Sequence, residues 1–176
     1  KNLEVENWEE EKNSNKDMKP EINDLKYIKA AYGFENLGTC AFSSKAGKAV
    51  KTFNAVFNHV HAKKVSWIAI FIPKSSRIYR KENGLPDISK YEGYVAAVQE
   101  LVYKKAMNFR DWGIDERWDS GIPANKIFAF KEPTLHITEV LTPDALKSFY
   151  ASATSSAAFE LNDEQQQIIF KSIVNN

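Results

Sequence analysis

Two adjacent carboxylates, Asp115 and Glu116, stand a few residues before the turn-forming sequence Gly121-Ile122-Pro123. Proline has a fixed φ and lacks an N–H, so this spacing predicts a loop that one following strand would hold in place. Loops carried by a rigid sheet often bear catalytic side chains, and a fixed carboxylate can stabilise developing positive charge. The alternative interpretation is a solvated acidic turn that takes part in no chemistry.

A second candidate for chemistry is Cys40, the single cysteine of the chain. Together with His59, His61 or His136 it could form the thiolate and base of a hydrolase, because such partners meet in space rather than in sequence. The simpler interpretation is a small buried apolar residue. One cysteine allows neither an internal disulfide nor a zinc site of several thiolates, and no metal site is predicted.

Motifs of the commonest enzyme classes are absent from the sequence. It contains no Walker glycine loop, no HExxH or CxxC pair and no GxSxG elbow. The aromatic residues Trp67, Trp112, Trp118 and Tyr79 could line a wall on which a ring stacks, although core packing is the ordinary role of such residues.

Composition predicts one folded domain without a broad affinity for polyanions. A chain of 176 residues that is 43% hydrophobic can bury a full core, and a net charge of +1 indicates no attraction to nucleic acid. The longest apolar run, Val65 to Pro73, is far shorter than the roughly 20 residues that span a bilayer. The chain starts at Lys1 rather than at Met, which would fit a secreted protein whose leader has been removed.

Periodicity outlines the elements that must position these residues. Residues 1–24 form a polar N-terminal arm with few apolar groups, and residues 25–176 form the domain. A one-sided apolar stripe predicts a helix that begins at Ser44, with Ser43 or Ser44 as its N-cap. The stripe consists of Ala46, Ala49, Val50, Phe53, Val56, Phe57 and Val60.

Strand and helix signals alternate along the rest of the chain. Residues 27–34 and 65–72 predict strands, the second of them buried, while residues 73–89 are polar and predict a loop. Apolar spacing predicts a helix over residues 89–109, and residues 126–130 and 135–140 predict two further strands. Helix-start signals occur at Thr142-Pro143-Asp144 and at Asn162-Asp163-Glu164. This order indicates an α+β domain with a mixed sheet and flanking helices.

Three segments, in this order, resemble the catalytic core of bacterial mono-ADP-ribosyltransferase toxins of the cholera and pertussis type. Residues 39–44, Thr-Cys-Ala-Phe-Ser-Ser before an amphipathic helix, resemble the Ser-Thr-Ser segment of that family. The apolar strand 65–72 is similar to the strand that follows the helix in the family. Asp115 or Glu116 followed by residues 121–127 is similar to the catalytic glutamate, its loop and the Gly-Ile-Pro that opens the next strand.

The resemblance implies an ADP-ribosyltransferase-like fold and transfer of ADP-ribose from NAD to a protein acceptor. Glu116 is the first choice for the catalytic carboxylate and Asp115 the second, the latter having the better spacing to the glycine. Ser43 or Ser44 would hold that carboxylate, and Trp118 would lie near the nicotinamide. Cleavage of the nicotinamide–ribose bond passes through an oxocarbenium-like species, which such a carboxylate can stabilise.

The sequence also departs from the family pattern. The arginine that contacts NAD early in the family has no counterpart before Arg77, and Lys26 or Lys29 would replace it only as a point charge. These departures favour an alternative in which the same scaffold is a catalytically inactive binding or inhibitory module that recognises a protein partner.

Overall fold

The computed structural model describes residues 20–43, 47–151 and 158–175, and within them the chain forms one mixed six-stranded sheet with flanking helices. The strand order is β2-β5-β4-β3-β1-β6, with β1 and β3 parallel and the other neighbours antiparallel. The α+β class is therefore confirmed. The elements are β1 Leu25–Ala30, β2 Thr39–Phe42, α1 Gly47–Lys63, β3 Val65–Phe71, α2 Ser76–Glu82, β4 Val95–Val102, β5 Ser120–Ala129, α3 Pro143–Ala151, β6 Ala158–Glu160 and α4 Asp163–Val174.

The sheet is strongly curled, so that strands distant in its order lie close in space. Strands β5, β4 and β3 separate β2 from β1. Nevertheless the Nζ atom of Lys29 on β1 lies 5.3 Å from the ring centroid of Phe42 on β2. Cys40 and Phe42 also belong to the same apolar cluster as Ile68 of β3. The concave face thus has walls on both sides.

Each face of the sheet buries its own apolar cluster. On the concave face, α1 contributes Phe53, Val56 and Val60, which are all at most 3% exposed. On the opposite face, α4 contributes Ile169 and Ile173 to the largest cluster. The predicted stripe of α1 is confirmed at these three positions, as are the strand over residues 65–71, which is buried from Ser66 onward, and the helices that start after Thr142 and Asn162.

The helix predicted over residues 89–109 is wrong, because this segment contains the central strand β4 with short 3-10 turns on either side. Val95, Val98 and Leu101 have helical spacing, which is the signal that the prediction followed. However, Ala96, Ala97 and Gln99 are equally buried, because β4 pairs with β3 and β5 and is covered on both faces. Burial on both faces removes the alternation by which a strand is normally identified.

The turn predicted at Gly121-Ile122-Pro123 is also wrong, since all three residues lie within β5. A Cβ atom at position 121 would collide with the backbone carbonyl of Trp112 and with Thr39 Oγ1. Thr39 Oγ1 donates to that same carbonyl (2.8 Å), so the 109–112 turn lies directly against the strand. Glycine is required here for close approach of two backbones, and not for a turn.

Three further segments differ from the structure that the sequence predicts. The early strand extends over residues 25–30 rather than 27–34. The predicted polar loop 73–89 contains the helix α2. The predicted strand 135–140 is a 3-10 turn over Ile137–Glu139, in which His136 and Glu139 form a reciprocal capping box. Residues 1–19 of the predicted arm and Ser44 lie outside the residues described.

Candidate functional site

A cavity of about 80 Å³ lies at the concave face, between the end of β1, the strand β2, the loop 31–38 and helix α2. The buried side chains in its lining include Lys29, Cys40 and Gln99, which are 5%, 2% and 0% exposed. Polar groups are thus buried at the floor of a space that a small molecule could enter, an arrangement typical of ligand sites.

Lys29 brings a buried amine to this floor. Its Nζ atom donates to the backbone oxygen of Ala30 (2.9 Å) and lies over the ring of Phe42. Burial lowers the pKa of Lys29, because the charged ammonium loses its hydration, and the neighbouring Cys40 opposes that shift only in part. In the described part of the chain, no carboxylate forms an ion pair with this lysine.

Gln99 provides an unpaired acceptor among the residues that line the same cavity. Its Nε2 donates to the backbone oxygens of Leu37 (2.7 Å) and Thr39 (3.2 Å), which fastens β2 and its preceding loop to the sheet. A flipped amide would oppose these carbonyls with its own oxygen, so the orientation is determined. The Oε1 atom is buried without a hydrogen-bond partner. Such an atom carries a desolvation cost that a donor on a ligand would offset.

Three aromatic side chains, Tyr32, Tyr79 and Trp118, form the rim of the cavity. Their ring centroids are 4.9–5.5 Å apart, with Trp118 in edge-to-face contact with both tyrosines. The guanidinium carbon of Arg117 lies 5.0, 5.2 and 5.9 Å from the rings of Trp118, Tyr32 and Tyr79. This aromatic rim therefore favours planar and cationic groups at the entrance.

Glu35 is the carboxylate that lines the cavity itself, and Asp115 lies outside the lining, in contact with Tyr79 of the rim. The Oδ1 atom of Asp115 accepts from the backbone N–H groups of Arg117 (2.9 Å) and Trp118 (3.0 Å), and its Oδ2 accepts from the hydroxyl of Tyr79 (3.3 Å). These bonds fold residues 115–118 into a turn over the rim. Burial and the negative charge of Asp115 raise the pKa of Tyr79, which remains a phenol and a donor. Glu116, the first choice from the sequence, is exposed and does not line the cavity.

The predicted cofactor-binding residues are only partly brought together. Trp118 lies at the rim of the cavity, whereas Ser43 is buried beyond the end of β2 and does not line the cavity. The side-chain partners of Asp115 are Tyr79 and two backbone amides rather than this serine. The serine at position 44 cannot be assessed, because it falls in the gap between residues 43 and 47.

A buried ion pair between Arg80 and Glu35 supports the rim from below. Arg80 NH1 and NH2 donate to the two carboxylate oxygens of Glu35 (2.6 and 3.0 Å). Its NH1 and Nε donate also to the backbone oxygens of Tyr32 and Pro86, both at 2.9 Å. Gly33 has φ +154°, and a Cβ atom there would collide with this guanidinium. The pair thereby fixes the loop that carries Tyr32 against helix α2, which carries Tyr79.

Sequence reasoning missed Gln99 and the Arg80–Glu35 pair, and named Lys29 only as a substitute for an arginine. A signal for two of these residues was present. Lys29 is flanked by Ile28 and Ala30, and Gln99 directly follows the apolar run 95–98. A polar residue next to apolar ones in a strand indicates a partner or a ligand if it is buried, because its burial alone is unfavourable. Arg80 and Glu35 lie 45 residues apart and carry no such signal.

Cys40 lacks the features of a thiol enzyme. It is 2% exposed, and burial raises the pKa of its thiol to about 11, so the thiolate is scarce at neutral pH. The three histidines have other contacts: His59 binds Asp24 (2.6 Å), His61 contacts the ring of Tyr103, and His136 caps a 3-10 turn. The hydrolase alternative needs an exposed thiol beside a histidine, and this arrangement is not observed.

Within residues 20–43, 47–151 and 158–175, no group of three or more histidine, cysteine or acidic side chains could hold a metal ion. None of the helices in these ranges is long and apolar enough to cross a bilayer.

The sequence matches no protein-family model, and no curated protein is significantly similar to it.

Proposed function

We propose that this protein binds NAD, with the nicotinamide group in the cavity, and transfers ADP-ribose to a protein acceptor. The observation that carries the proposal is that one cavity is lined by Lys29, whose Nζ atom is a buried donor, and by Gln99, whose Oε1 atom is a buried and unpaired acceptor. A carboxamide has one carbonyl oxygen and one NH₂ group, and so complements both. Burial lowers the pKa of Lys29 and so disfavours positive charge there, which suits a ligand whose ring is positively charged.

The size of the cavity agrees with this orientation. An engineered apolar cavity of about 150 Å³ holds benzene, so about 80 Å³ suits a carboxamide with its ring at the entrance, but not a whole dinucleotide. The aromatic rim of Tyr32, Tyr79 and Trp118 would then contact the ring faces and edges. The ribose and diphosphate would extend over the rim toward Arg117.

Asp115 is the group that we assign to the chemical step. When the bond between nicotinamide and ribose breaks, nicotinamide leaves with the bonding electron pair and the ribose becomes an oxocarbenium ion. A carboxylate at the rim stabilises this positive charge until a nucleophile of the acceptor protein adds and loses its proton. Tyr79 and the two backbone amides hold Asp115 in position, which lowers the cost of reorganisation during the reaction.

Arg117 is the arginine best situated for the diphosphate, because Arg80 already donates four hydrogen bonds, to Glu35, Tyr32 and Pro86. Arg117 is exposed, and its guanidinium lies over the rim. Arg117 belongs to the acidic loop and not to β1, where Lys29 stands in place of the NAD-contacting arginine that occurs early in the toxin family. A planar guanidinium can bind a phosphate through two hydrogen bonds.

A second candidate function is an inactive binding module that uses the same cavity. Two observations favour it: neither Glu116 nor Ser43 is among the residues that line the cavity, although the resemblance assigns both to the site. A scaffold that keeps the carboxamide pocket but has lost part of the catalytic arrangement would bind NAD without turnover.

Calorimetric titration with NAD is the first test. Replacing Gln99 with Met removes the acceptor, together with the donors to Leu37 and Thr39, and loss of the acceptor should cost about 1–3 kcal/mol and weaken binding roughly 5- to 150-fold. Gln167→Met changes an exposed glutamine on α4 in the same way and should leave binding unchanged. Circular dichroism and thermal melting verify that both variants fold. A wild type that does not bind NAD would refute the proposal.

Release of nicotinamide from NAD is the second test. Asp115→Asn should lower turnover about 10²-fold or more while NAD binding persists, because only the charge partner of the transition state is lost. Glu116→Gln is the matched control and should have little effect. The reverse result would restore Glu116 as the catalytic carboxylate. Binding without any turnover by the wild type would support the binding module.

A further inference from the structure

The amine of Lys29 is unusual among charged side chains because it is buried beside open space. Its recorded contacts are the Ala30 backbone oxygen and the face of the Phe42 ring, and it is 5% exposed. Buried lysines normally pair with a carboxylate. Within the described ranges, the ion pairs join other residues and leave this lysine without one. The environment therefore favours an amine without charge, which has a free electron pair.

Two nucleophilic side chains, Lys29 and Cys40, line the cavity, and burial favours the reactive form of Lys29 alone. Burial lowers the pKa of Lys29 and raises that of Cys40 to about 11. Both shifts have the same physical cause, since a low-dielectric site disfavours the charged form of each group. The uncharged form is the reactive one for an amine and the unreactive one for a thiol. Lysines desolvated in this way form Schiff bases with carbonyl compounds.

The surroundings of the amine suit a small carbonyl compound. Ile70, Leu37 and Trp118 provide apolar walls, and the space of about 80 Å³ admits a molecule of a few heavy atoms. Gln99 lines the same cavity, and its Oε1 atom is buried without a donor. A hydroxyl group formed on a bound carbonyl carbon would supply that donor.

We propose that Lys29 is a carbonyl-reactive lysine that forms an imine with a small aldehyde or ketone in the cavity. In this reaction the unpaired Oε1 atom of Gln99 accepts a hydrogen bond from the hydroxyl group of the intermediate. The amine nitrogen adds to the carbonyl carbon, and one N–H proton moves to the carbonyl oxygen to give a carbinolamine. Its hydroxyl leaves with the second N–H proton as water, and the C=N bond forms. One amine and one carbonyl thus yield one imine and one water. This activity does not depend on NAD binding.

The test is reductive trapping with propanal at limiting concentration. The full chain is treated at pH 6.5 with propanal and cyanoborohydride, and the modified peptides are located by mass spectrometry. An ordinary lysine with pKa near 10.4 has only about one amine in 10⁴ uncharged at this pH. The peptide containing Lys29 should be alkylated at least about tenfold faster than those containing Lys81 or Lys131, which are both exposed. Equal or slower labelling at Lys29 would overturn the proposal.

Variants separate reactivity from general accessibility. Lys29→Met should abolish the fast phase, whereas Lys81→Met should leave it intact. Gln99→Met should slow trapping at Lys29 at least about fivefold, because the carbinolamine loses its acceptor. An unchanged rate in Gln99→Met would refute the role of the glutamine. Fast labelling by a protein that does not bind NAD would support this proposal while refuting the proposed function, so the two can fail separately.

Discussion

Breaking the buried pair between Arg80 and Glu35 should destabilise the protein more than any surface charge change. The two residues are 3% and 9% exposed, and two hydrogen bonds of 2.6 and 3.0 Å join them. Glu35→Gln removes the negative charge and turns one acceptor into an NH₂ group that faces the guanidinium. Removal of one partner from a buried pair typically costs about 3–5 kcal/mol, since the other charge stays buried without compensation.

The predicted loss of free energy can be measured by urea unfolding at neutral pH, and the corresponding fall in Tm by thermal melting. For a chain of this size, each kcal/mol shifts Tm by about 2–4 °C, so Glu35→Gln should melt roughly 6–20 °C below the wild type. The control is Lys26→Met, which breaks the exposed pair between Lys26 and Glu160. Exposed pairs contribute no more than about 1 kcal/mol.

A double-mutant cycle distinguishes the ion pair from a simple packing defect. Arg80→Met leaves Glu35 charged and also removes the donors to Tyr32 and Pro86. The combined variant contains no unpaired charge, so its loss should be smaller than the sum of the single losses by about 1–3 kcal/mol. Additive losses, or a cost below about 1 kcal/mol for Glu35→Gln, would refute the reasoning that the pair supports the rim.

Three further predictions concern the core and the pH dependence of stability. Phe53 is 3% exposed, so Phe53→Ala should cost about 3–5 kcal/mol in denaturant titration, and a cost below about 1 kcal/mol would contradict the assignment of this helix face. Burial lowers the pKa of Lys29, so the penalty for its charge is complete below the folded pKa and disappears as pH rises toward the unfolded value near 10.4. Lys29→Met should therefore be more stable than the wild type at neutral pH, with a gain that shrinks in alkali, whereas a pH-independent difference would refute this. Burial by itself raises the pKa of Asp24, but hydrogen bonds from Ser66 and His59 outweigh it and the net pKa is lowered. The resulting stability is present above about pH 4 and is lost as pH falls through the folded pKa, so the loss of stability in acid should be shallower in Asp24→Asn than in the wild type.

Much of the local structure could be predicted because its signals are local. The run over residues 65–72 and the helix starts at Thr142 and Asn162 each depend on neighbouring residues, and each occurs as expected. The stripe at Phe53, Val56 and Val60 is likewise a property of one helix. β4 was mistaken for a helix because its pairing on both sides and its coverage on both faces depend on segments far away in the chain.

The candidate site shows the same division between local and distant information. The sequence alone identified the acidic loop and placed Trp118 beside it, since both lie within four residues. It ranked Glu116 ahead of Asp115, but it could not show that Asp115 is the one that accepts a hydrogen bond from Tyr79, because helix α2 is a distant segment of the chain. Nor could it identify the cavity, which exists because the curled sheet brings Lys29, Cys40 and Gln99 together from three strands. Curvature of a sheet arises from the twist of all its strands, and no single segment encodes it.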